Sequence, residues 1–486
     1  LDSLERLRLE ALVVAGRLGG PPGERRFAGA RLAEAIRRRT LGILRGEIRP
    51  VPRSVLRAFV ARRQGAVAGS RFAGPDAAER AVGLLRGLAL PVASWEASAL
   101  PARLAEPEPD ALDVLAARGL LVFRLAGEKE LKAARMSLFF RGEGRFVLPE
   151  APAGLDALSA DARALLEALG LGGASFLSDL GGALGKRPEA LVAPLRELLL
   201  AGLVSGDGFH GLRELLRAKR IAPAPAAPPA RLGAVPSRRE LRAAEARVAT
   251  RLGFTPRGPA TASHVLSGRW ALLGAPSVLG PELAPGERSE AWARLLLARW
   301  GVVSRGVVEE AESAVRWSDV APAFARMELR GDVRRGEFVE GSGPLQYAEP
   351  DVVEELRRMR EARDEEDPRA ELAALAGVDP VLVGVEVPRD GWCVLSRGVP
   401  VATLSGAGAL DLGGEPAPDR VLRAALAELQ ELLRRGRDPL GRPRRLVVAT
   451  VASGAAPRPA AGSAVAPLLE AAAFTRDGTG YAWRAL

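Results

Sequence analysis

The sequence predicts a mainly helical α+β protein: tandem winged-helix modules followed by a C-terminal α+β, barrel-like domain. Three observations lead there. First, one spacing occurs four times, as Leu9-x-x-Leu12-x-x-x-Gly16, Leu112-x-x-Leu115-x-x-x-Gly119, Leu195-x-x-Leu198-x-x-x-Gly202 and Phe324-x-x-Met327-x-x-x-Gly331. Each glycine is followed two residues later by Leu18, Leu121, Val204 or Val333. Residues three apart share the inner face of a helix, the glycine ends it, and the next apolar residue turns back into the core as a strand. Second, residues 287–348 read as three short helices and a hairpin. Third, the pattern beyond about residue 370 changes to short strands around one amphipathic helix.

The most informative stretch is Gly268 to Pro350. A helix over about Glu287 to Arg299 places Ala291, Leu295, Leu296 and Leu297 on one side, and Gly301 stops it. Ser304 is positioned to cap the next helix with its hydroxyl. The third helix ends at Gly331, where a left-handed residue without a Cβ is needed. Val333 to Glu340 and Pro344 to Ala348 are the expected strands around a Gly341-Ser342-Gly343 turn. Three helices and a two-stranded wing form a module that lays its third helix and wing against nucleic acid.

The remaining elements follow in chain order. Residues 1–39 read as a partial winged helix that the chain enters part-way through. With Leu1 in place of methionine, this predicts a fragment or a processed product. Residues 40–150 read as a helical segment plus a winged helix, with helices over Leu32 to Leu44, Val55 to Arg63, Asp76 to Leu85 and Pro107 to Arg118. Its strands are Leu120 to Leu125 and Met136 to Phe140. Residues 151–220 form a compact third module (Ser159 to Leu169, Ser175 to Leu184, Pro188 to Ala201) with a short turn at Ser205 to Gly208. An Ala/Pro-rich linker spans 221–236, and a charged helix over Arg238 to Leu252 opens the module at 237–366. Residues 367–486 make the terminal domain. Its expected strands are Val381 to Val387, Trp392 to Ser396, Val401 to Leu404, Arg445 to Val451 and Tyr481 to Arg484; its helices are Val421 to Arg435 and Val465 to Ala473.

Composition bounds the function. A chain of 486 residues holds about three or more domains, and 48% apolar residues suffice for their cores. No apolar run reaches the ~20 residues that cross a bilayer, so no membrane partner is expected. One cysteine, Cys393, rules out an internal disulfide and predicts a reducing, cytoplasmic setting. With only His210 and His264 beside it, no zinc site is expected. The net charge of +10 points to a polyanion, although 65 of the 69 basic residues are arginine, a bias that a GC-rich genome also produces. Residues 1–63 alone carry fifteen arginines against six acids. The cations singled out for nucleic acid are Arg37, Arg38, Arg39, Arg57, Arg62 and Arg63, the wing-tip lysines Lys129 and Lys132, and the fourth wing's Arg334 and Arg335. Gln346 either joins them or braces that wing.

Other chemistries lack their residues. Gly181 to Lys186 has Leu180 and Arg187 where a phosphate loop needs glycine and Ser/Thr, and no strand precedes it. His210 beside Phe209 reads as a wing-edge residue rather than a catalytic base, and no nucleophile motif accompanies either histidine.

Gly268-Arg269-Trp270, Arg299 to Arg305, and above all Met327-Glu328 through Arg334 to Gly341 to Gln346-Tyr347-Ala348 resemble the C-terminal region of the large helicase-related (Lhr) proteins of bacteria. Arg37 to Leu44, Arg63-Gln64-Gly65, Leu90 to Glu96, Leu100 to Arg103 and Phe474 resemble further segments of that region. The resemblance implies tandem winged helices and a terminal domain arranged like the AlkZ type of DNA glycosylase. It implies DNA (single-stranded, duplex or forked) as partner, with an Lhr-type helicase core or a second copy of the chain as others. ATP and Mg would belong to that absent core, so no cofactor is expected here. It also implies a second activity, removal of damaged or uracil bases, in which Gln64 would orient water and Glu96 would take the proton. The family's second glutamine is replaced by Leu84, and polar and aromatic residues are missing after Asp379-Pro380. Gln64 as a tie between two helices, and winged helices as protein-interaction scaffolds, are the competing readings.

Overall fold

The computed structural model describes residues 2–9, 12–16, 26–36, 39, 49–127, 130–148, 157–217, 268–312, 314–361, 371–413, 417–440, 444–454 and 456–485. The expected linker and the helix over Arg238 to Leu252 lie outside these residues.

At the N-terminus, α1 (Asp2–Leu9) precedes an antiparallel hairpin, β1 (Val13–Gly16) with β2 (Arg26–Gly29). The first repeat is therefore corrected: Gly16 lies inside a strand and does not end a helix. The other three copies hold. Gly119, Gly202 and Gly331 each follow a helix with φ of 73°, 68° and 87°, the left-handed conformation that a Cβ disfavours.

Those three copies belong to modules of identical topology. The second has α3 (Ala77–Leu85), β3 (Leu90–Pro91), α4 (Leu100–Arg103) and α5 (Ala111–Ala117), then β4 (Leu121–Ala126) and β5 (Arg135–Phe140). The third has α6 (Ala160–Gly172), β6 (Ser175–Phe176), α7 (Leu177–Leu184) and α8 (Val192–Leu200), then β7 (Val204–Gly206) and β8 (Arg269–Leu272). The fourth has α10 (Pro285–Trp300), β9 (Val302–Ser304), α11 (Arg305–Ala311) and α12 (Trp317–Arg330), then β10 (Arg334–Gly336) and β11 (Gln346–Ala348). In each, the last strand is central, paired with the short strand after the first helix and with the strand after the third helix. The short strands were not legible: two or three residues are too few for an alternating pattern.

The third module closes differently from expectation. The turn at Ser205 to Gly208 does not return a strand at once. Instead α9 (His210–Arg217) follows, and the returning strand is β8, where Ser205 pairs with Ala271. Arg269-Trp270 therefore belongs to the third module's sheet, and Trp270 is buried in its core.

Helix α2 (Arg53–Arg63) ties the parts together. Val51 forms a parallel bridge with Val339 at the fourth wing. Arg57 donates to the Gly398 carbonyl at 2.5 Å, and Arg62 pairs with Glu371 in the terminal domain. Consequently the buried apolar residues form two cores: one joins the second and third modules, the other joins α2, the fourth module and the terminal domain.

The terminal domain is a six-stranded sheet in the order β12 (Leu372–Ala376), β13 (Trp392–Ser396), β14 (Val399–Leu404), β15 (Ala409–Asp411), β17 (Thr450–Ala452), β18 (Arg458–Pro459). A three-stranded sheet, β16 (Arg445–Val448), β20 (Gly480–Arg484) and β19 (Thr475–Asp477), adjoins it. Only Ala449 separates β16 from β17, so one chain segment passes from sheet to sheet. Helix α14 (Asp419–Arg435) packs its apolar face on β12 and β13; α13 (Pro350–Glu361) links this domain to the fourth module. One expectation fails here. Residues 381–387 are no strand, because Pro380–Leu382 form a 3-10 turn capped by the Asp379 carboxylate. Leu372–Ala376, helical by propensity, is a strand with all five residues buried, so tertiary burial overrides propensity.

Candidate nucleic-acid interface

In the fourth module, the expected recognition surface is built as its sequence dictates. The Ser304 hydroxyl accepts from Val307 N at 3.4 Å and starts α11. Trp317, Phe324 and Tyr347 stack with centroids 5.0–5.9 Å apart between consecutive rings, fixing α12 on the wing strand. The opposite face of α12 exposes Arg316, Arg326 and Arg330. Arg330 is held by Glu290 at 2.8 Å and Asp332 at 2.9 Å. Its guanidinium, together with Arg294, holds the Glu290 carboxyl down at about 2. On the wing, Arg334 lies 3.6 Å from Glu354, while Arg335 is exposed and has no partner among the described residues.

The third module offers no equivalent. On α8 only Ala193 is exposed; Arg196, Glu197 and Leu200 are half-buried and the other residues are covered by neighbours. A helix so enclosed is not placed to enter a groove, so three modules of one topology do not make three readers.

The structure disperses the other expected cations. Arg39 and Lys132 are exposed; Arg37, Arg38 and Lys129 lie outside the described residues. Arg57, Arg62 and Arg63 face inward. Arg63 donates to the Ala298 carbonyl at 2.6 Å and covers the Phe59 ring, while burial lowers the pKa of Arg57. Their place as an exposed phosphate-binding row is corrected: α2 is a tie between domains, and its arginines satisfy carbonyls and carboxylates that burial would otherwise strand.

Gln346 is corrected too. It is fully buried, its Oε1 accepting from Phe338 N and Val339 N and its Nε2 donating to the Val339 and Gly343 carbonyls. With four side-chain bonds made inside the wing, it braces the hairpin.

Gln64 and Glu96 are not assembled into one site. Gln64 is fully buried; its Oε1 accepts from Arg103 Nη2 at 2.9 Å and its Nε2 donates to the Arg299 carbonyl at 3.2 Å. Arg103 forms a bidentate pair with Asp379 at 2.8 and 2.9 Å, both side chains enclosed. The Glu96 carboxylate receives both Nε and Nη2 of Arg213, which also binds Asp113 at 2.5 Å. No hydrogen bond joins Gln64 to Glu96 among the described residues. The expected water-orienting pair is therefore replaced by two structural networks, centred on Arg103 and Arg213. A third centres on Arg299, which pairs with Glu312 at 2.5 Å and donates to the Leu84 and Arg86 carbonyls. The sequence carried one faint signal of these, an arginine set within an apolar helical run.

A cavity of about 230 Å³ lies one turn before Gln64, lined by Arg53, Arg57, Val60, Trp300, Ser304 and Glu310. Cys393, behind Arg57, is buried, and burial pushes its thiol up to about 12. Among the described residues no group of His, Cys, Asp and Glu could hold a metal ion, and no helix is long and apolar enough to cross a membrane.

The geometry defines a tandem winged-helix protein whose fourth module exposes one face of its third helix and its wing. Residues 51–141 and 282–368 match the third and fourth winged-helix domains of the large helicase-related protein family; these two segments are winged helices similar to that family's, as the sequence resemblance implied. The chain is 28% identical over 388 residues to "Lhr helicase/ probable uracil glycosylase" of Mycolicibacterium smegmatis, covering 78% of this chain and 24% of that protein. It is 28% identical over 343 residues to "Lhr helicase/uracil glycosylase" of Escherichia coli K12, covering 66% and 21%. The chain thus spans about a quarter of the length of these relatives or less. Among solved structures, Streptomyces sahachiroi DNA glycosylase AlkZ aligns with a TM-score of 0.46 at 14% identity, over 79% of this chain and 97% of that one.

Proposed function

We propose that this chain is the DNA-binding C-terminal region of an Lhr-type helicase, engaging DNA through α12 and the β10–β11 wing of the fourth module in DNA repair or processing. The observation that supports it best is the exposed Arg335, without a partner among the described residues, beside Arg334 on a winged helix whose third helix exposes Arg326 and Arg330. A wing arginine that contacts phosphate displaces condensed counterions, so each lost contact lowers the log–log salt slope by roughly 0.9 on duplex DNA. Arg334→Ala with Arg335→Ala is expected to weaken binding to unrelated duplexes alike and to flatten the slope by roughly one to two units, read by fluorescence anisotropy from low to moderate salt. Wild-type affinity and slope in that variant would take the wing out of the interface.

Base excision is the second reading. It draws on the names of the two relatives and on the 230 Å³ cavity beside α2, where Glu310 supplies a carboxylate near Trp300, Arg53 and Arg57. An extruded base needs such a pocket and a carboxylate to place water. Release of uracil that is abolished by Glu310→Gln would support this reading; no release from uracil-containing DNA would leave binding alone.

A further inference from the structure

A second cleft, of about 400 Å³, opens where the second, third and fourth modules meet, lined by Arg124, Arg145, Arg288, Gly202, Gly274 and Glu282. Three arginines face one carboxylate. Arg145 pairs with that carboxylate at 3.3 Å, but the Glu282 side chain is 85% exposed, at the rim. Arg288 donates its Nη2 to the Leu148 carbonyl at 3.1 Å.

Arg124 is the anomaly. It sits mid-strand in β4, half-buried, its side chain with no hydrogen bond, ion pair or ring contact among the described residues. Burial lowers its pKa, and no neighbouring carboxylate offsets that effect. The other strongly buried arginines each have carboxylates or carbonyls arranged around them, as a desolvated cation requires. The fold also makes room for this one. Gly202, the repeat glycine that ends α8, would bring a Cβ within 2.7 Å of Arg124 Nε and 2.8 Å of the Leu125 carbonyl oxygen. At Gly274, by contrast, an added Cβ would meet nothing within 4 Å, so the cleft is open on that side.

We propose that this cleft seats a phosphodiester of a single-stranded nucleic acid, with Arg124 supplying the missing charge partner and Arg288 and Arg145 flanking it. The seat is recessed, so the broad convex backbone of a duplex cannot reach Arg124, whereas a flexible strand can dip one phosphate into the cleft. No aromatic side chain lines the cleft to stack a base, so the contact is independent of sequence. The inference deepens the DNA-binding reading and rests on it, but uses a surface separate from α12 and the wing.

Arg124→Gln removes the charge without stranding a partner, and Gly274→Glu places a carboxylate at the open wall. Binding of labelled oligo-dT and of a blunt duplex hairpin is measured by anisotropy across a salt series, with thermal melts of each variant. Arg124→Gln is expected to weaken oligo-dT about tenfold, to reduce the magnitude of the salt slope by roughly 0.7, and to leave the hairpin and the melting temperature unchanged. Gly274→Glu is expected to act in the same direction. Oligo-dT affinity and slope that stay at wild type in both variants would overturn the cleft while leaving wing-mediated binding intact. A wild-type chain that binds neither DNA overturns both. Stabilisation by inorganic phosphate that vanishes in Arg124→Gln, without any effect on oligo-dT, would assign the cleft to a free phosphate compound and overturn the strand proposal.

Discussion

Replacing Arg103 by methionine tests what holds the terminal domain on the winged-helix body. The change keeps the side chain's length and takes the donor from four acceptors at once: both carboxylate oxygens of Asp379, Oε1 of Gln64 and the Ala99 carbonyl. The Asp379 carboxylate would retain only the Val381 N–H at 3.0 Å. A buried ion left without its counter-ion costs about 3–5 kcal/mol, more than the pair itself is worth when formed. The pair is also imperfect, since Arg103 Nε is buried without a partner. The expectation is therefore double. Arg103→Met alone should lower the free energy of the first urea transition, followed by tryptophan fluorescence, by about 3–5 kcal/mol. Adding Asp379→Leu and Gln64→Leu should recover most of the loss, because an apolar set of similar volume needs no desolvation. If Arg103→Met costs less than about 1 kcal/mol, or the triple variant is no better than the single, the network is not what joins these domains.

Three further outcomes follow from the same coordinates. Gln346→Ala should leave two N–H groups and two carbonyls of the fourth wing without their partner, costing about 2–4 kcal/mol at roughly 1 kcal/mol per bond; unchanged stability in urea would mean water replaces the amide. Gly301→Ala should give little folded protein, because the new Cβ would lie 2.2 Å from Phe59 Cε1 at a φ of 70°, and a soluble variant with a native melt would refute that packing. The Cys393 thiol, pushed up to about 12 by burial, should resist a disulfide reagent at pH 8 in the native state and react at once in urea. Because its folded pKa lies above its unfolded one, the contribution to stability is complete below about pH 8.5 and fades as pH rises toward about 12, visible as falling melting temperatures over that interval.

The sequence by itself determined the repeated module. The glycine spacing at Gly119, Gly202 and Gly331 reports a local event, a helix ending in a left-handed residue, and local events are written in adjacent residues. The Ser304 cap, the amphipathic helix at Asp419–Arg435 and the strand at Trp392–Ser396 were legible for the same reason. Only the tertiary structure decided which arginines are free. Arg57, Arg62, Arg63 and Arg103 look like surface cations in a list of residues, and each is consumed by a carbonyl or carboxylate more than two hundred positions away. The same holds for β8, which completes a sheet begun before residue 207, and for Leu372–Ala376, whose helix-prone residues become a strand once covered on both faces. Long-range pairing sets burial, and burial sets which charges must be neutralised internally, a division that adjacent residues do not record.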